Sequence, residues 1–401
     1  MKKRMRKHWE RKLMVGVAGW FLLNGSTVAL AEENSNSPLY ERTITGDETH
    51  DAAWKDSGVA SWGAPEADGS TKATYAFTTT EDQSVKPAFA VGAGKPYAVI
   101  KPRNPLRNIT LENEKQTFRI QADGSGLSKP EIYAIYNTGG EIELDGYRTT
   151  YEISVDAPDD AAGAVVYAGV NKDAWDMGGA AAPEEKDVKS TVFRSGGMGA
   201  VHIHSTSPGI VGIEAGKGGL AYFYGNGDDK VETKGNYALK AQDGGRIFFD
   251  GSVTAVDHAA IYAGKGGEVH LGYMLVNAEK NKTMASSEAN LTGDVVSDTG
   301  GLVNLHLKKA LWQGSKTGPG TFKAILAEEG VWSGGADKID ALTMQRGGLW
   351  RNLSAGKTNI VSLHGDEGTI DMEKAGRLDV YEFHGATTRS EERRVGKECR
   401  S

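Results

Sequence analysis

The sequence predicts an all-β chain wound as a parallel β-helix, a solenoid of short strands. Three observations carry this: Gly-Gly pairs recurring ahead of alternating apolar runs, a second short strand ahead of several pairs, and tryptophans at a steady interval. The chain has 53 glycines among 401 residues. Gly139-Gly140 precedes EIELDG, Gly218-Gly219 precedes LAYFYG, Gly244-Gly245 precedes RIFFDG, Gly266-Gly267 precedes EVHLG and Gly300-Gly301 precedes LVNLHL. Counting from the second glycine, position +2 holds Ile142, Ala221, Ile247, Val269 and Val303, and position +4 holds Leu144, Phe223, Phe249, Leu271 and Leu305. Position +3 holds Glu143, Tyr222, Phe248, His270 and Asn304. A period of two is the signature of strands with one buried face, so +2 and +4 point inward.

The preceding strands are Ala134-Ile135-Tyr136, Ile213-Glu214-Ala215, Ala238-Leu239-Lys240 and Ala260-Ile261-Tyr262-Ala263. Glycine suits the intervening turn because it reaches positive φ without steric cost. Further on, Trp312, Trp332, Trp350 and Ile370 are spaced by 20, 18 and 20 residues, and the last three each follow a glycine by two places. Second strands fall about ten residues later in each period, at 339–344, 360–363 and 378–381. Stacked rungs accommodate this cycle. Strands of a β-sandwich also recur every 8–12 residues or so, and periodicity alone leaves that fold open. Residues 32–115, with Trp54 and Trp62 and little of the Gly-Gly register, are expected to form an irregular N-terminal cap, since an uncovered solenoid end exposes core and strand edges.

Both ends carry separate signals. Residues 1–31 read as a signal peptide: seven lysines and arginines, an apolar stretch at 13–23 (LMVGVAGWFLL), then Ala29-Leu30-Ala31. Eleven apolar residues are too few to span a bilayer, which takes roughly 20, and the A-x-A pattern places cleavage between Ala31 and Glu32. The chain is therefore expected to be exported. Residues 389–401 (RSEERRVGKECRS) resemble the in-frame translation of a sequencing adapter, which implies a non-native tail and a gene product continuing beyond Thr388. The one cysteine, Cys399, lies in that tail, leaving no disulfide or thiolate site in residues 116–388, the expected β-helical domain.

Charge narrows the partners. The chain has a net charge of −7, but the signal contributes +6 and the tail +2, so residues 32–388 carry −15. Nucleic acid is an unsuitable partner for such a surface, because phosphate binding needs an excess of lysine and arginine on one face.

The segments LTGDVVSDTGGLVNLHL (291–307) and LAEEGVWSGGADKIDALTMQRGGLW (326–350) resemble the passenger domains of pertactin-like autotransporters of Gram-negative-type bacteria, over about residues 115–388. The resemblance implies a right-handed parallel β-helix, delivered to the cell surface through type V secretion by a C-terminal outer-membrane β-barrel of the same polypeptide. No run of barrel strands follows Thr388, which departs from the family pattern. The missing barrel is itself an expected partner; without it this fragment is expected to reach the periplasm.

Candidate chemistry is sparse. His202 and His204 share a strand face and could join His270 or His306 at a metal, but their alternation with Val201 and Ile203 reads as ordinary outward placement. Ser205, His204, His258 and Asp257 contain the elements of a triad, yet no G-x-S-x-G elbow selects them. Asp228-Asp229 is the best acidic loop for a carbohydrate enzyme, but it reads as a solvated turn. Four N-x-[ST] sequons, at Asn108, Asn281, Asn290 and Asn352, read as chance matches. No cofactor, metal or catalytic residue is assigned. The tryptophans align with inward Ile370 and read as core. Outward Tyr222, Phe248 and His270 are the candidate contacts for a partner, a glycan or protein of a host or neighbouring cell. The loop 171–189 interrupts the rungs and is a second place for contact. The function expected is an adhesin or surface scaffold. A β-helical polysaccharide lyase or hydrolase and a surface-layer structural protein remain as alternatives.

Overall fold

Alternating apolar positions bury one strand face when strands stack in register, and stacking of this kind organises the whole described chain. A computed structural model describes residues 107–390, except 115–116, 126, 176–180, 196–198, 278–281 and 286–287, and before them residues 40–44, 48–49, 71–77, 83–86, 89–90, 97–100 and 105. These residues fall in one unit, Pro38–Ser401. The expected signal peptide and its cleavage site at Ala29, Ala31 and Glu32 lie outside the described residues, as do residues 391–401 of the expected tail. No α-helix occurs among the described residues, only the short 3-10 turns Lys172–Ala174 and Glu185–Asp187.

The chain is all-β, and its pairings are overwhelmingly parallel. Strands form three columns, visited in a fixed order. Gly140–Tyr147 lies in the first column, Thr150–Asp156 in the second and Glu131–Asn137 in the third; the next layer lays Ser190–Arg194, Ala200–Ser205 and Ala162–Ala168 against them respectively. Long strands such as Gly219–Thr233, Arg246–Ala255 and Lys357–Asp371 run through the first and second columns without a break. The third column is a separate sheet of nine strands, from Phe89–Ala90 to Lys316–Thr317, parallel throughout except at Phe89–Ala90 against Tyr97–Ile100.

Register converts this order into rows. In the first column Leu144, Arg194, Phe223, Phe249, Leu271 and Leu305 belong to one inward row. In the second, Ile153, Ile203, Val231, Val253 and Leu291 lead into Trp312, Trp332, Trp350 and Ile370. Both rows belong to one continuous core cluster apart from Arg194. The three indoles stack at 4.4 and 4.6 Å between centroids, 9° and 11° from parallel, and each is fully buried. Trp312, Trp332 and Trp350 donate Nε1–H to the carbonyls of Gly293, Gly314 and Gly334, so no indole N–H of the three is buried without a partner.

The Gly-Gly turns divide their labour between two glycines. At 264–267 the Gly267 N–H donates to the Gly264 carbonyl across Lys265 and Gly266, both at positive φ (52° and 80°). A Cβ on Gly266 would meet nothing closer than 3.7 Å, whereas one on Gly267 would lie 2.2 Å from the Ala241 carbonyl oxygen of the layer beside it. Gly267→Ala therefore has to push adjacent layers apart and is expected to lower stability by about 3 kcal/mol. Gly266→Ala meets only the left-handed conformational cost of about 1 kcal/mol. Urea denaturation of the two variants checks the order, and equal losses would refute this division.

Only part of the expected N-terminal cap, residues 32–115, is among the described residues. Tyr40–Ile44 pairs in parallel with Thr71–Phe77, which pairs with Arg107–Glu114, and Gln83–Lys86 pairs with Thr117–Asp123. The described strands of residues 32–115 thus extend all three columns. No paired glycines occur in the sequence of residues 32–115, which is why the sequence register does not mark these strands.

Candidate functional site

Three features outside the apolar rows carry chemistry. The first is the row of +3 positions. Glu143, Phe193, Tyr222, Phe248, His270 and Asn304 stand in register along the outer face of the first column. Phe193 stacks on Tyr222 at 4.9 Å and Phe248 on His270 at 4.4 Å, with ring planes 7° and 6° apart. Phe193 was hidden in the sequence because no Gly-Gly pair precedes its strand.

The expectation that Phe248 is free to contact a partner is not met. An antiparallel hairpin, Tyr273–Asn277 with Lys282–Ala285, leaves the stack after Leu271. Its Tyr273 and Leu275 form a small cluster with Leu220 and Phe248, with Tyr222 packed against it, and Phe248 keeps 2 % of its surface. Tyr273 donates its hydroxyl to Asn304 Oδ1 at 3.2 Å, and its ring meets His270 edge-on at 6.1 Å. His270 contacts Glu268 at 3.3 Å, and this bond holds the Glu268 carboxyl below its usual range. Tyr222 is half-buried, and the His270 side chain retains 12 % exposure.

The second feature is a charged pair in the core. Arg194 occupies the inward place between Leu144 and Phe223, with 2 % of its side chain exposed. Its Nη1 lies 3.4 Å from Oδ1 of Asp229, which is fully buried, and Nη2 donates to the Gly199 carbonyl. Asp229 Oδ1 also accepts from the Val201 N–H at 2.8 Å, while Oδ2 has no hydrogen-bond partner. The solvated turn expected at Asp228-Asp229 is not found at Asp229, which follows a break in register after Tyr224 that turns its carboxylate inward. Burial, opposed by Arg194 and the Val201 N–H and reinforced by nearby Asp250, raises the Asp229 carboxyl to about 7.

The third feature is a band of tyrosines on the outer face of the third column. Tyr133 stacks on Tyr136 at 4.3 Å, and Tyr167 meets them at 5.7 and 5.2 Å. Three layers on, Tyr237 meets Tyr262 at 5.1 Å. In register between Tyr167 and Tyr262 stand Glu214 and Lys240, which pair at 2.9 Å. Burial, with Glu131 beside it, pushes the Tyr133 phenol well above its usual range, and burial does the same for Tyr167, so both stay protonated donors. The start of loop 171–189 packs here: Asn171 Nδ2 donates to the Tyr136 hydroxyl at 3.0 Å and Ala174 is buried in the band. The sequence signal that could have exposed this band is the repeated Tyr-Ala-Gly at 167–169 and 262–264.

His202 and His204 lie on the second-column strand Ala200–Ser205, and His270 and His306 on first-column strands several layers away, so the four are not brought together. Among the described residues no three His, Cys, Asp or Glu side chains converge to hold a metal. Nor is any described helix long and apolar enough to cross a membrane. No protein-family model, curated protein or solved structure matches the chain.

Proposed function

We propose that this chain is a right-handed parallel β-helix of the autotransporter passenger kind, exported and displayed at the surface of a bacterial cell, where it acts as an adhesin or surface scaffold. One observation carries the reading: successive strands are laid in register on the layer before in a fixed three-column order, which is how a solenoid buries a core. Right-handedness rests on the strong chiral preference of parallel crossover connections. The export signal at 1–31 and the resemblance of residues 291–307 and 326–350 supply the route. A stacked surface free of gathered catalytic groups among the described residues suits contact more than turnover. Its partner is a glycan or protein of a host or neighbouring cell.

Expression in a Gram-negative host tests this. The chain is expected in the periplasm with Glu32 as its first residue by mass spectrometry, and the purified product is expected to scatter X-rays as an elongated rod. Beads coated with it are expected to adhere to cells. A cytoplasmic chain retaining Met1, or scattering from a closed barrel of low axial ratio, would overturn the reading.

A further inference from the structure

We propose that the outer face of the third column, between Tyr167 and Tyr262, is a binding platform for an uncharged glycan. The proposal deepens the adhesive reading and rests on it for biological meaning.

Glycine placement gives the face its form. A Cβ on Gly264 would lie 2.6 Å from the Tyr262 hydroxyl oxygen and 3.0 Å from its Cζ. Gly169 stands in the same relation to Tyr167, at 2.6 and 2.8 Å, and Gly216 of the next layer also lies beneath the Tyr167 hydroxyl, at 2.8 Å. Each phenol therefore lies along its own strand, over the glycine two residues ahead, in the space a side chain would otherwise fill. A ring laid flat turns one face to the sheet and the other outward, and both rings remain half-buried. Three inter-strand steps separate them, about 14 Å at the usual strand spacing.

Between the rings the chemistry is polar and self-neutralised. Glu214 and Lys240 satisfy each other's charge, and Gln242 donates to Glu214 Oε1 at 3.1 Å. Tyr262 donates its hydroxyl to Asp298 Oδ2 at 3.2 Å and Asp243 lies near it, so the face offers donors and acceptors in a field that disfavours an anion. An aromatic face at each end with neutral hydrogen-bonding groups between matches a pyranose chain, whose C–H faces pack on rings and whose edges carry hydroxyls that both donate and accept. Asn171 and Ala174, packed at Tyr136, bound the row on one side.

Other occupants fit less well. Strands of this column from Glu131–Asn137 to Val295–Ser297 are paired on both sides, so a peptide finds no open edge on which to add a strand. None of the exposed large apolar side chains among the described residues lies on this face, so a second copy finds little to bury. The −15 charge of residues 32–388 disfavours nucleic acid.

The test titrates the purified chain with cellohexaose, chitohexaose and maltohexaose, following saturation-transfer NMR and calorimetry, with a heparin hexasaccharide as anionic probe. At least one neutral oligosaccharide is expected to bind. Tyr262→Ala is expected to weaken it at least tenfold, while Tyr262→Phe, which keeps the ring, weakens it less than threefold. Gly264→Ala lifts the ring without removing it and is expected to weaken binding comparably to Tyr262→Ala. Unchanged near-UV circular dichroism shows that each variant is folded. No neutral binding at about 10 mM, binding unaffected by Tyr262→Ala, or salt-sensitive binding of heparin alone would each overturn the platform. A chain exported and cleaved at Ala31 that binds none of the three loses the platform alone, whereas a cytoplasmic chain that binds loses surface display alone.

Discussion

Trp332→Ala is expected to lower the stability of the tryptophan-bearing layers by about 3–5 kcal/mol, the usual cost of removing a large buried aromatic side chain. Trp332 is the middle of the three stacked indoles and touches a partner on each face. Its removal opens a cavity between Trp312 and Trp350 and leaves the Gly314 carbonyl without its donor. In the proposed solenoid each layer contacts only its neighbours, so the loss is expected to be local. Hydrogen exchange should accelerate in Leu311–Gln313, Val331–Gly334 and Leu349–Asn352 and stay unchanged in Glu131–Asn137. Trp332→Phe keeps an aromatic face and loses mainly the hydrogen bond, so its cost should be nearer 1 kcal/mol. A loss below that for the alanine variant, or one spread evenly along the chain, would contradict the stacked core.

The second large effect concerns Arg194. Arg194→Met is expected to cost about 3–5 kcal/mol at pH 8, since it leaves the Asp229 carboxylate in the core without its counter-charge. At pH 5 the cost should be smaller, because Asp229 then carries its proton. In the wild type the sign follows from a carboxyl raised from 3.8 to about 7 on folding. Below about pH 4 both folded and unfolded states hold the proton and the contribution is fully present. Between about pH 4 and 7 the unfolded chain releases it first, so stability falls as pH rises, and above about 7 no further loss occurs. Asp229→Asn should flatten that slope. Urea midpoints between pH 4 and 8 provide the check, and an unchanged slope in Asp229→Asn would assign the dependence elsewhere.

Much of the core was legible because register and burial obey one period. Counting two and four places from each second glycine selects Ile247, Phe249, Val269 and Leu271, and all four are buried and stand in cross-strand register. The interval from Trp312 to Trp332 likewise matches one passage through the three columns. Less of the surface was legible. Alternation states which side of a strand a residue faces and is silent on what later folds over that side. Phe248 does point away from the core, as its position requires, but the hairpin from Tyr273 to Ala285 covers it. Arg194 shows the opposite failure: its place in the row is inward, yet an arginine there reads as a break in the pattern until Asp229 is seen opposite it. Tyr167 and Tyr262 were hidden for a third reason. Nothing in a two-residue period shows that a glycine two places on lets a ring lie down.

The indole stack also gives the molecule an optical signature. Three nearly parallel chromophores in van der Waals contact share their excited states, so their absorption and circular dichroism are collective properties of the array. The signal depends on spacing and angle, and slight slippage of one layer on the next would alter it before any strand separates. The segment that holds the stack therefore reports its own packing, without a label, through the coupling between its indoles.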